Sequence, residues 1–237
     1  MNEVLEIITY SFFSGITVLI GGLLAKFFEH LHLGIIKDYI IHTTIAFGGG
    51  VLVAAVGFVL TPKGIQSFPI LIFAIIFSSG AIVFFLLDRF IERHGGLAAQ
   101  LLTMMMDYIP EAIALGAVFA NDNRLGLLLA LFIGLQNLPE SFNAYSDLRK
   151  SGFSPNKVLL IFLPLSFFGI IAALLGRYLL SNNPLVVNGL MLFSAGGILY
   201  LIFQDIAPLA KIKKHWMPAL GATFGFLVGM IGTKIFG

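Results

Sequence analysis

An all-α polytopic membrane bundle of eight transmembrane helices is the fold this sequence predicts, with residues 1–237 forming one transmembrane domain. Three observations predict it. The chain is 58% hydrophobic and only 11% charged, with a mean hydropathy of +0.98, far too apolar for an ordinary soluble domain. Apolar runs of spanning length recur near 4–25, 40–61, 68–90, 97–119, 125–147, 157–180, 185–209 and 216–236, separated by short connections. Lys and Arg are unevenly shared among those connections, as in a protein with a fixed orientation in a bilayer.

The first run follows Met1-Asn2-Glu3-Val4-Leu5-Glu6, which is acidic where a secretory signal would be basic, and reads as a retained helix. It contains Gly15, Gly21 and Gly22, and the second run opens with Ala46-Phe47-Gly48-Gly49-Gly50. Small residues of this kind let helices approach closely in lipid, so packing is their expected role. The second run ends Leu60-Thr61-Pro62. The seventh echoes it, since Gly50 to Pro62 and Gly196 to Pro208 are equally spaced, which is the mark of an internal repeat.

The connection Arg89-Phe90-Ile91-Glu92-Arg93-His94-Gly95-Gly96 is too short to hold a domain. His30, His32 and His94 lie in or beside connections without the i, i+4 spacing of a helical metal pair, and read as interfacial histidines. Tyr39 and Trp216, at helix ends, suit the aromatic belt.

Ten of the 14 basic residues fall after helices one, three, five and seven: Lys26, Lys37, Arg89, Arg93, Arg149, Lys150, Lys157, Lys211, Lys213 and Lys214. Lys63, Arg124, Arg177 and Lys234 lie on the other side. Positive residues concentrate in the cytoplasm, so both termini are expected to be extracytoplasmic. Without Cys, neither disulfides nor thiolate ligands can arise, and any metal must be held by oxygen, imidazole or thioether. The net charge of +2 is thinly spread, which argues against nucleic acid as a partner.

Two stretches carry the chemistry: Asp107-Tyr108-Ile109-Pro110-Glu111-Ala112 in helix four and Gln136-Asn137-Leu138-Pro139-Glu140-Ser141 in helix five. A charged, unpaired carboxylate at a helix centre costs roughly 2.5 to 3.5 kcal/mol, so Asp107, Glu111 and Glu140 together cost on the order of 10 kcal/mol unless offset. Asp107 and Glu111 are four residues apart, as are Gln136 and Glu140, which puts each pair on one helix face. Pro110 and Pro139 cannot donate to the carbonyls of Met106 and Leu135 and tend to kink their helices, adding acceptors at mid-membrane. The nearest basic residue in sequence, Arg124, is 13 residues beyond Glu111, or roughly 20 Å along a helix. A cation or a proton pathway therefore offsets the charge, with a protonated structural pair as the alternative. Met104, Met105 and Met106 point in different directions around their helix, so most of them pack.

These stretches resemble the paired H-N-x-P-E-G and H-E-x-P-E-G type motifs of the ZIP family of divalent metal transporters. Phe193-Ser194-Ala195-Gly196-Gly197-Ile198-Leu199-Tyr200, then Gln204-Asp205-Ile206-Ala207-Pro208, His215 and Ala222-Thr223-Phe224-Gly225-Phe226 are similar too. The resemblance implies a ZIP-like bundle and a metal pathway between helices two, four, five and seven. By position it implies Asp107, Glu111, Gln136, Glu140 and Asn137 as metal residues, with Asp205 and His215 forming an exit site.

The chain departs from the family pattern at Tyr108, where Asn is usual, at Asn137, where an acidic residue often lies, and at Gly169, where a glutamate of a second metal site is expected. A single site without histidine is thus expected. Oxygen ligands suit harder ions such as Mn²⁺, Mg²⁺ or Fe²⁺, beside zinc or cadmium. The implied function is entry of a divalent metal into the cytoplasm, the metal being substrate, with no catalytic cofactor. The alternatives are a proton-coupled exporter and a non-transporting relative with a structural or sensing role. An enzyme is not expected, because hydrolytic zinc sites commonly use the histidines that the core lacks. The lipid bilayer is the second partner and a homodimer is compatible with the chain. The short loops point to a multi-pass protein of a bacterial inner (plasma) membrane.

Overall fold

The computed structural model describes residues 2–31, 35–96, 99–212 and 215–236, and every regular element among them is helical. Eight helices are long and apolar enough to cross a membrane, in agreement with the sequence. They are α1 (Glu3–Glu29), α2 (Ile35–Ala55, prolonged through Val56–Leu60 and Pro62–Ser67), α3 (Ile70–His94) and α4 (Ala99–Phe119). The second half comprises α5 (Asn123–Lys150), α6 (Pro155–Leu180), α7 (Pro184–Leu201, prolonged through Ile202–Ile206 and Ala207–Ala210) and α8 (Met217–Phe236). Of the residues invoked above, Met1, His32, Lys213, Lys214 and the first two positions of the fourth predicted run lie outside the described residues.

The helix ends follow local chemistry. Asn2 caps α1 by accepting from the Val4 N–H at 3.3 Å, and Ser154 caps α6 with Pro155 at its first position. Asp122 caps α5 through the Leu125 N–H at 3.0 Å and pairs with Lys63 at 2.9 Å. Partial burial alone would raise the Asp122 carboxyl, but that amide and Lys63 hold it below its ordinary range.

The echo between helices two and seven has a structural counterpart. Pro62 and Pro208 each lack an N–H and crowd the preceding turn, and at both places the helix absorbs this by widening into a π-helical turn, Val56–Leu60 and Ile202–Ile206. Thr61 N–H reaches the Val56 carbonyl at 3.2 Å, and the Thr61 hydroxyl donates to it at 2.7 Å. Ala207 N–H makes the corresponding bond to Ile202. By contrast, α4 and α5 continue through Pro110 and Pro139 as α-helix.

Packing repeats the same relation. Helices α1, α4, α5 and α6 form a central four-helix bundle, in which α1 packs on α5 as α6 packs on α4. Outside it α2 pairs with α8, and α3 with α7. Exchanging α1 with α6, α2 with α7, α3 with α8 and α4 with α5 maps each of these contacts onto another. Three consecutive glycines fix α2 in this arrangement. A Cβ on Gly48 would meet the Pro139 ring of α5, one on Gly49 the Ile206 side chain of α7, and one on Gly50 the Ala222 carbonyl of α8. Successive residues turn by about 100° around a helix, so one triplet serves three neighbours.

The two halves of the molecule along the helix axes differ. Toward the α2–α3, α4–α5 and α6–α7 connections, Val59, Leu60, Leu115, Phe119, Leu128 and Phe132 pack into a continuous buried core. The same side is tied by Asn121 donating to the Ser181 carbonyl at 2.9 Å and by Arg177 paired with Glu3. On the opposite side Glu29 of α1 accepts from Arg149 at 2.7 Å and from Tyr145 at 2.8 Å.

Close approach at Gly50 is therefore a requirement of the fold. Gly50→Leu should lower stability by about 1 to 3 kcal/mol, as overpacking does, whereas Gly57→Ala, whose added Cβ meets nothing within 4 Å, should not. Thermal unfolding in detergent measures both, and equal midpoints for the two variants would contradict this packing.

Candidate metal centre

Because α4 and α5 run antiparallel and in contact, residues one turn apart on each helix meet in opposite order. Glu111 faces Gln136, and the Gln136 amide nitrogen donates to the Glu111 carboxylate in a short hydrogen bond. One turn away, toward the side of the α1–α2 and α5–α6 connections, Asp107 and Glu140 line a common cavity. The cavity is about 70 Å³ and is walled by α2, α4, α5 and α7. Its polar lining consists of Thr103, Asp107, Glu140, Asn143 and Asp205, with the Met104 thioether beside them. Among its lining residues there is no Lys, Arg or His.

Burial makes these groups consequential. Asp107, Glu111, Gln136 and Asn137 are buried. Asp107 Oδ1 accepts from the Tyr108 N–H at 2.8 Å. Both Glu140 carboxylate oxygens, Asp205 Oδ2 and Gln136 Oε1 are enclosed without a hydrogen-bond partner among the described residues, although the Glu140 side chain as a whole is only partly buried. Acceptors in that condition are costly unless a proton or a cation meets them. Among the described residues no three His, Asp or Glu side chains are drawn together as a finished metal cage. The oxygens are arrayed along the cavity wall.

The residues singled out in the sequence separate into three groups. Asp107, Glu140 and Asp205 share the cavity, and Glu111 with Gln136 forms a bonded pair one helical turn away from Asp107 and Glu140. Asn137 is turned away, donating to the Ser14 carbonyl of α1 at 3.2 Å, so it joins helices instead of lining the cavity. Asp205 and His215, expected to form an exit site, line different cavities. His215 lines a different groove, with its ring stacked on Tyr39 at 3.9 Å between centroids. Its contact with α2 is a tertiary relation that position in the sequence does not encode.

Sequence reasoning overlooked Thr103 and Asn143, which lie four residues before Asp107 and three after Glu140. That same-face spacing is the signal that could have found them. All three methionines pack in apolar clusters, and of them only Met104 also lines the cavity. Tyr108 explains two departures at once. Its buried ring extends between α1 and α6, so that a Cβ on Gly169 or Gly15 would run into its hydroxyl. Tyr108 and Gly169 are complementary in shape, and a glutamate at Gly169 has no room beside that ring.

Residues 95–236 match the family model described as ZIP zinc transporter. Over 147 residues the chain is 32% identical to the protein named zinc transporter GufA of Myxococcus xanthus, a match covering 59% of this chain and 58% of that protein. Over 118 residues it is 27% identical to zinc transporter zipt-7.1 of Caenorhabditis briggsae, covering 47% of this chain and 30% of the relative. The chain thus spans less than two thirds of the length of either relative.

The Glu111–Gln136 bond is open to a direct test. Gln136→Leu leaves a buried carboxyl without its donor and should cost about 1 to 3 kcal/mol, while the double change with Glu111→Leu should recover much of that loss. Unfolding midpoints of the single and double variants measure it. A double variant less stable than Gln136→Leu would contradict the pairing.

Proposed function

The chain belongs to the ZIP zinc transporter family, and from that premise we propose that it carries a divalent metal cation through the cavity between α2, α4, α5 and α7. One observation supports this reading above the others: among the described residues, the Glu140 carboxylate oxygens are enclosed without a partner in a cavity whose lining contains no basic residue. A cation there would meet Asp107 on α4 and Glu140 on α5. Asp205 and Asn143 would take it next, toward the side of the basic connections.

A cation held between Asp107 and Glu140 would exchange part of its hydration shell for their carboxylate oxygens. The acceptors are oxygens with a single thioether, and no imidazole is present. Such a set suits Mn²⁺, Fe²⁺ or Mg²⁺ as well as Zn²⁺, the ion for which both relatives are named. Tyr108, lying against Gly169, fits a centre that holds one ion.

Access in this conformation is from one side. The cavity lies in the half of the bundle that carries the basic connections, and the other half is filled by the apolar core around Leu60, Leu115 and Phe119. With the basic connections in the cytoplasm, this is an inward-facing state with both termini extracytoplasmic. Entry from outside requires that core to part and the Glu111–Gln136 bond to open, so that Glu111 joins Asp107 and Glu140. The reading also includes a multi-pass protein of a bacterial plasma membrane, for which the similarity to a bacterial relative is the support.

Uptake by the purified protein in liposomes, with Zn²⁺, Mn²⁺, Fe²⁺, Co²⁺, Cd²⁺ and Mg²⁺ offered separately, tests the function. Glu140→Gln should reduce uptake by more than the roughly 10- to 100-fold that loss of a ligand's outer-shell partner costs. Equal uptake by the variant would contradict the site. Asp107→His should move the ranking toward Zn²⁺ if ligand softness sets selectivity, and an unchanged ranking would contradict that account.

A further inference from the structure

We propose that the groove between α2, α7 and α8 binds one anionic phospholipid from the leaflet facing the basic connections. The inference requires only that these helices lie in a bilayer, and it stands whether or not the central cavity carries metal. At about 740 Å³ the groove is far larger than that cavity. Along the membrane span its walls are mostly apolar, formed by Ala46 and Val53 of α2, Ile202 and Ala207 of α7, and Ala222 and Phe226 of α8, while the Thr223 hydroxyl of α8 is already donated to the Ala219 carbonyl at 2.9 Å. A largely apolar cleft within a bilayer is filled by an acyl chain more readily than by water, which would find few hydrogen-bond partners on such walls.

The end of the groove at the α7–α8 connection has a different chemistry. Lys211, His215 and Trp216 line it, and no Asp or Glu is among the lining residues. The Lys211 side chain is exposed and has no ion pair or hydrogen bond among the described residues. His215 is held in place by its stack on Tyr39, yet its Nδ1 is enclosed without a partner among the described residues. Trp216 is 83% exposed, as suits an indole lying among headgroups. An ammonium, an imidazole nitrogen and an indole at the mouth of an acyl-sized cleft complement a phosphate headgroup with its chain. Gly49 and Ile206 line both the groove and the central cavity, so the lipid lies one side-chain layer from Asp205.

Native mass spectrometry of the full chain in detergent, titrated with phosphatidylglycerol or phosphatidylcholine, tests this. The wild type should retain one phosphatidylglycerol in preference to phosphatidylcholine. Lys211→Ala should weaken phosphatidylglycerol retention roughly fivefold, from about 1 kcal/mol per basic residue, without changing that of phosphatidylcholine. Lys211→Arg should restore the preference, which a misfolded protein would not do. Equal retention of the two lipids, or a full preference in Lys211→Ala, would overturn the proposal. So would a dimer mass in place of the lipid adduct that disappears in Lys211→Glu, since a second copy would then cover the groove.

Discussion

A carboxylate inside a bilayer must have a countercharge, a proton or a set of donors, and the central part of this molecule is arranged around three of them. Glu111 has a donor in Gln136. Asp107 has the Tyr108 amide for one oxygen. Glu140 has nothing among the described residues, and both its oxygens are enclosed. Since no basic side chain lines the cavity, the balance falls to a proton or to a cation that enters it. A mobile divalent cation satisfies that requirement, whereas a fixed lysine would have neutralised the site permanently.

The scaffold follows from the need to hold such a cavity among four helices of different partnership. The central bundle of α1, α4, α5 and α6 supplies Asp107, Glu111, Gln136 and Glu140, while α2 and α7 close the cavity from outside that bundle. Both closing helices carry a π-helical turn ahead of a proline, at equivalent places in the repeat. The glycine triplet lets α2 lie against α5, α7 and α8 at once, so the Pro139 ring next to Glu140 rests directly on Gly48. The apolar core lies on one side of the bundle and the polar cavity on the other.

Much of this was legible in the sequence because its physical basis is local. Spanning length and hydropathy identify all eight helices, and the equal Gly-to-Pro spacing anticipates the matched distortions in α2 and α7. The two Pro-Glu stretches identify the charged layer, since four-residue spacing fixes a helix face. What remained illegible depends on which neighbour a face meets. Asn137 and Glu140 are three residues apart, yet one bonds to α1 and the other faces the cavity. His215 follows Asp205 closely in the chain but lines a separate groove. Tyr108 and Gly169 look like two unrelated departures from a pattern until α4 and α6 are packed together, when each makes room for the other.

The account depends on a cation being held between α4 and α5. Crystals grown with Cd²⁺ or Mn²⁺ and measured at an energy where the metal scatters anomalously would locate it without reference to transport. The account predicts an anomalous peak in the cavity, within coordinating reach of both Asp107 and Glu140. A map with no peak there, or with metal only at surface carboxylates, would contradict it.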